Sequence, residues 1–199
     1  MAVAERTFVD LRLPLAAGTL GNPQIGARQV VDLAEGVWLT LGGRVGAPIL
    51  GASRSAYASF QSTAALWDFN DFSVEMMPFT LQAGLEAHVS VIELRAQAEP
   101  VWGISTAKNR PHVFAFQHAV EAQVGHTFGG GVRYQGVLFG TETLGLEDHY
   151  QGAFELFLRA VYGPVFGRVG IYLPSDTPLS GGTQSQWWGV RATTGYQFD

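Results

Sequence analysis

Apolar and polar residues alternate one by one along most of this 199-residue chain, and the two faces so produced differ sharply in charge. Side chains repeat every second residue only on a strand, so the pattern predicts ribbons with two unlike faces. In the segment after residue 91, Ile92, Leu94, Ala96 and Ala98 alternate with Glu93, Arg95, Gln97 and Glu99. Across all such segments the apolar face carries no Asp, Glu, Lys or Arg, and His118 is its one ionisable exception. The other face collects Asp10, Arg12, Arg44, Glu86, Glu93, Arg95, Glu99, Glu121, Arg133, Glu155, Arg159, Arg168 and Arg191. The chemistry of that set is balanced, and arginine can pair bidentately with carboxylates in a confined space.

The alternation predicts ten strands, near 6–17, 36–47, 56–67, 78–89, from 92 to about 101, 112–126, 131–140, 151–162, 165–173 and 186–198. The third is the weakest, and eight strands is the alternative count. Parity flips near residue 91, which requires a tight turn or a bulge because a one-residue slip exchanges the faces. Connections 18–35, 68–71, 102–111, 141–150 and 174–185 are mostly long and rich in Gly, Pro, Asn, Asp and Ser. Those near 48–55, 90, 127–130 and 163–164 are mostly short. Long loops at one rim and short turns at the other are characteristic of transmembrane barrels. An even strand count puts both termini at the short-turn rim.

Composition narrows the choice of solvent. Charged residues make up 15% of the chain, against about 25% in a typical soluble domain. Of the twelve basic residues only Lys108 is lysine, and arginine is preferred where a cation is enclosed and paired. The net charge of −5 offers no basic footprint for nucleic acid. Without cysteine there is neither a disulfide nor a thiolate metal site. No run reaches the roughly 18 apolar residues of a transmembrane helix. The opening MAVAERTF has no apolar signal segment, so a membrane reading implies a mature chain with an added initiator Met.

A soluble lipocalin-like barrel shows the same alternation turned inside out. Its polar face, however, would meet water and normally carry many solvated lysines, whereas here it is a nearly balanced set of Arg and carboxylates in a chain with one lysine. Aromatics near strand ends (Phe79, Phe114, Phe154, Tyr162, Trp188, Tyr196, Phe198) suit the girdles of a membrane barrel. An arginine facing lipid at the midplane costs roughly 2–4 kcal/mol, so several would exceed the roughly 5–15 kcal/mol stability of a domain. In a membrane the arginine face points inward. The strands must then close, because open edges leave backbone groups unsatisfied in lipid. The expected fold is therefore all-β: one domain, residues 1–199, forming a closed antiparallel transmembrane β-barrel.

The ending WWGVRATTGYQF resembles the last strand of bacterial outer-membrane β-barrel proteins. In that family the strand alternates apolar residues and ends in an aromatic that the barrel assembly machinery reads. Trp188, Val190, Ala192, Tyr196 and Phe198 fit, with Trp188, Tyr196 and Phe198 as the assembly signal, although Asp199 follows where the aromatic is terminal in the family. The resemblance covers the whole chain at the level of pattern and assigns no subfamily. It implies an outer-membrane location, periplasmic termini, surface-exposed long loops, and outer-membrane lipids and the assembly machinery as partners.

Candidate chemistry is sparse. Asp68, Asp71, Asp148 and His149 share the long-loop rim; omptin proteases use carboxylates and an Asp/His pair there, but WDFND and EDH do not match their spacing closely. Loops carry Asp and His for turn chemistry as well. Glu86 and His88 project from one face and could bind a metal, yet two ligands are too few, and an interior hydrogen-bond network is the simpler reading. His118 sits where barrel lipases place a catalytic His, but Ala119 and Val120 follow it, with no nucleophile. GHTFGGGVRYQG lacks the Lys-Ser/Thr and helix of a phosphate loop and reads as a hairpin turn.

No catalytic residue, metal or cofactor is therefore assigned. The expected function is a non-enzymatic anchor or surface-exposed subunit of an envelope complex, with a plugged polar lumen and an envelope protein as its partner. The alternatives are a narrow ion or small-solute channel, a rim hydrolase using Asp148 and His149, and a soluble ligand-binding barrel.

Overall fold

The structure, a computed structural model, describes residues 5–16, 19–48, 69–108, 111–140, 149–175 and 189–196. Its strands are β1 (Glu5–Arg12), the short pair β2 (Leu15–Ala16) and β3 (Thr19–Leu20), β4 (Gln24–Ala34), β5 (Val37–Gly46), β6 (Met76–Val89), β7 (Ile92–Ser105), β8 (Val113–Val124), β9 (Phe128–Phe139), β10 (Tyr150–Tyr162), β11 (Val165–Pro174) and β12 (Gly189–Tyr196). A single helical turn, α1 (Phe69–Phe72), precedes β6. Apart from β2 and β3, the strands form one ten-stranded sheet in chain order, each antiparallel to its neighbours. The expected all-β, antiparallel, ten-stranded architecture is thus present. No ladder joins β1 to β12 among the described residues.

The sheet curls with the charged face inside. Arg168 on β11 reaches Glu121 on β8, and Arg159 on β10 approaches Glu93 on β7. One cavity is lined by Arg12 of β1 and by Arg191 and Thr193 of β12, the two ends of the sheet. Successive residues of β10 show the contrast: Glu155 is 1% exposed and Leu156 59%. Large apolar side chains such as Val9, Leu85, Leu94, Val132, Val169 and Val190 stand exposed on the convex face.

Four two- or three-residue turns join strands at one end: 35–36, 90–91, 125–127 and 163–164. Gly36 (φ 72°) and Gly163 (φ 56°) occupy the left-handed region that such tight hairpins demand. The parity flip near residue 91 is one of these turns, with Val89 opposite Ile92. The other end carries the longer connections 13–23, 47–75, 106–112, 140–149 and 175–188.

The identity of one strand differs from the sequence reading. Residues 24–34, expected within the long loop 18–35, form β4 between β1 and β5. Their alternation is disguised: Gln29 lies on the outward side with Ile25 and Ala27, Val30 lies inward, and a bulge falls between Asp32 and Ala34. The connection expected near 48–55 lies, from residue 49 on, outside the described residues. The strand expected at 56–67 lies outside the described residues.

Candidate functional site

The interior is layered, beginning at the long-connection end with α1. Asp71 accepts hydrogen bonds from Arg12 Nη2 at 2.6 Å and from Gln24 Nε2 at 2.8 Å. Asn70 exchanges amide hydrogen bonds with Gln117, at 3.2 and 3.0 Å. Asn22 fixes the same turn, donating its side-chain amide to Asn70 O and Ser73 O and its backbone N–H to Asp71 O. Arg12 is on β1 and Gln117 on β8, so α1 bridges the hollow of the sheet and caps it. The buried amides of Asn22, Asn70 and Gln117 are hydrogen-bonded within the cap, as a stable polar cap requires, while Gln24 Oε1 is buried without a partner. Beside it, Val101, Val113, Ala115, Val137 and Phe139 form a small apolar cluster on the concave face. The sequence reading had treated that face as polar throughout.

Below α1 lies a cavity of about 320 Å³ bordered by Arg12, Arg44, Arg133 and Arg191, with Glu99, Gln117 and Gln135. Glu99 is held by Arg44 Nη2 at 2.7 Å and by Gln82 Nε2 at 2.9 Å. A second cavity of about 330 Å³ follows, bordered by Arg28, Glu86, Arg95, Arg159 and Arg168. Here the ions interlock. Arg168 donates to Glu155 through Nε (3.2 Å) and Nη2 (2.8 Å), and to Glu121 through Nη1 (2.6 Å). Its guanidinium carbon also stands 3.5 Å over the Phe157 ring, a cation–π contact. Arg95 Nε binds Glu86 at 2.8 Å, and its Nη2 binds Glu93. A third cavity of about 830 Å³ lies toward the short-turn end, bordered by Arg6, Phe8, Asp10, Trp38 and His88.

Among the sequence candidates, the side chains of Arg12, Arg44, Glu86, Glu93, Arg95, Glu99, Glu121, Glu155, Arg159 and Arg168 meet in ion pairs on the concave face, and Asp10 pairs with Arg28 at 3.4 Å. Arg133 reaches Gln97 instead, at 3.5 Å. Glu86 and His88 do pair, at 2.7 Å, and Glu93 joins them as a third possible metal ligand. Arg95 occupies both carboxylates, however, and Arg159 approaches Glu93 at 3.7 Å, so two guanidiniums already answer the two acids of the trio. Asp71, read as a rim acid, is committed to holding α1. His149 is exposed and gives its backbone carbonyl to Phe139 N. Asp68, Asp148, Trp188 and Phe198 lie outside the described residues.

His118 faces outward, as its parity predicts. Its Nε2 is 3.3 Å from the Tyr150 hydroxyl, which in turn meets the Tyr134 hydroxyl at 2.5 Å. The imidazole and the Tyr150 ring lie almost parallel over Gly136, whose missing side chain makes room for both. The group is a self-satisfied polar island on an apolar face. Comparison with protein-family models, with curated proteins and with solved structures gave no match. No family assignment follows. Function must be argued from the site itself.

Proposed function

We propose that this chain is a closed, membrane-embedded β-barrel of a bacterial outer membrane, capped at its long-connection end and acting as a non-enzymatic anchor. The carrying observation is the inversion of the usual globular arrangement: Glu93, Glu121 and Glu155 are buried, while the leucines and valines between them are exposed. In water such a surface far exceeds the few hundred Å² of contiguous apolar patch that monomers tolerate. Hydrocarbon is the solvent that suits it.

Three further features agree. β6 to β11 run 10–14 residues, enough for the roughly 9–11 residues of a tilted transmembrane strand. Outward aromatics gather toward both ends: Phe79, Trp102 and Phe114 form a ring-to-ring row on one side, and Phe128 and Tyr162 stand 70% and 88% exposed on the other. Interfacial girdles occupy those levels. Closure would then come from apposition of the β1 and β12 edges, which hydrocarbon demands.

Most of the interior charged side chains are spent on one another and on α1, which favours the long-connection rim as the surface offered to a partner. An anchor displaying that rim to an envelope protein is the reading we favour. Detergent extraction and heat-modifiable gel migration test it: the folded protein is expected to need detergent and to shift on boiling. A monodisperse protein in plain buffer would refute the membrane assignment. Planar-bilayer recording is expected to show no large steady conductance; nanosiemens openings would refute the cap.

A further inference from the structure

We infer that the cavity toward the short-turn end is a binding site for a neutral saccharide, stacked on Trp38 and Phe166 and hydrogen-bonded by Arg28 and Asp10. The cavity measures about 830 Å³, toward the top of the roughly 300–1,000 Å³ of small-ligand sites. Adjacent strands β1, β4, β5 and β6 build one wall, and Phe166 of β11 lines it from the opposite half of the sheet.

Three aromatic rings converge there from strands remote in sequence: Phe8, Trp38 and Phe166. Their inward parity puts them on the faces of Asp10, Arg44 and Arg168. The other inward phenylalanines are covered, Phe139 in the apolar cluster and Phe157 beneath Arg168. Phe8, Trp38 and Phe166 are only half-buried, so part of each ring is left to whatever fills the cavity. Trp38 is braced by His88, whose ring lies edge-on with centroids 4.7 Å apart, and His88 is held by Glu86 at 2.7 Å. The indole is thus a fixed platform.

The charges at the same cavity select the ligand class. Arg28 is paired with Asp10, and Glu86 with Arg95 and His88. Arg6 is exposed at the mouth, where a charge is screened by water. An ionic ligand therefore gains no enclosed counter-charge. Hydrogen-bonding capacity remains, however. Arg28 Nε and Asp10 Oδ2 meet loosely, at 3.4 Å, and the rest of the guanidinium fork and the second carboxylate oxygen make no hydrogen bond among the described residues. A sugar answers both halves of this wall. The C–H bonds of its ring form an apolar, weakly positive face that lies on the negative face of an aromatic ring. Each hydroxyl both donates and accepts, so it can join an acid–guanidinium pair without breaking it. The site goes beyond the anchor reading and depends on the curled inner face alone, so it would exist whether the convex face met lipid or water.

Titration calorimetry on the purified full-length protein tests the site, in a detergent without a sugar headgroup or in plain buffer if the protein proves soluble. The probes are glucose, N-acetylglucosamine, maltotriose and chitotriose; the monomers report a free sugar and the trimers a chain. Saturable binding of at least one is expected. Trp38→Ala should weaken it about tenfold and Phe166→Ala about threefold to tenfold, the worth of one stacked ring. Trp38→Phe, which keeps a ring, should recover most of the loss. Phe128→Ala, on the outward face at the same end, should leave affinity within about twofold. Heat-modifiable migration, or cooperative melting in plain buffer, verifies that each variant is folded. If Trp38→Ala does not fold, Phe166→Ala decides. Absence of saturable heat with all four sugars, or unchanged affinity in the folded Trp38 and Phe166 variants, would overturn the assignment; binding of indole in place of every sugar would overturn it in favour of an aromatic solute. Solubility without detergent would refute the membrane reading and leave this measurement intact.

Discussion

Arg168 on β11 and Glu121 on β8 stand 2.6 Å apart across two intervening strands. In a flat sheet their backbones would be about 14 Å apart, three strand spacings. The pair therefore measures the curl of the sheet, and Glu155 on the strand beside Arg168 completes a three-residue tie.

That tie is expected to be cooperative. Glu155→Gln removes the charge and one of the two acceptor oxygens facing the mostly buried Arg168 guanidinium and is expected to cost about 1–3 kcal/mol, less than an isolated buried pair because Glu121 remains. A double-mutant cycle with Arg168→Gln in urea unfolding is expected to give a coupling of about 0.5–3 kcal/mol. Strict additivity would mean that the tie is geometric only.

The convex face should respond to charge according to depth. Leu156 lies mid-strand on β10 and Tyr162 at its short-turn end. Leu156→Arg is expected to destabilise the protein in lipid vesicles by about 2–4 kcal/mol, and Tyr162→Arg by about 0–1 kcal/mol. Equal effects near zero at both sites would indicate a surface bathed in water.

Two glycines make a packing test that does not depend on solvent. A Cβ on Gly42 would stand 2.6 Å from Ala27 O and 2.9 Å from Arg28 Cα, both backbone atoms of the adjacent strand. Gly42→Ala is expected to cost about 1–3 kcal/mol by overpacking. A Cβ on Gly167 meets nothing within 4 Å, so Gly167→Ala is expected to stay within about 0.5 kcal/mol. Denaturant midpoints compare the two directly.

Release of the cap should be local. Asp71→Ala removes the acceptor for Arg12 and Gln24 and leaves the buried Gln24 amide unmet. The amide of Asn22, which donates to Asp71 O, is expected to exchange at least tenfold faster with deuterium. Amides at the centre of β8 keep their protection, since they belong to the continuous ladders on both sides. Uniform loss across the sheet would show instead that α1 holds the whole fold.

The faces of nine ribbons were legible because parity is a local property: Glu155 and Leu156 reveal their sides within a single dipeptide. β4 was not, because Val30-Val31 and the outward Gln29 break the alternation, and Asn22-Pro23 ahead of it reads as loop. The apolar cluster around Val101 and Phe139 escaped because inward parity had been equated with polarity. The cap was hidden for another reason. Asn70 finds Gln117 47 positions away and Asp71 finds Arg12 59 positions away, and no short-range pattern encodes such meetings.

The same long separations set an order of assembly. The turn at 69–72 is gripped by Arg12, Asn22 and Gln24 on one side and by Gln117 of β8 on the other, so its seat is complete only once β8 has joined the sheet. It acts as a late clasp: a chain halted before that strand would retain β1 to β7 and still lack one half of the lock.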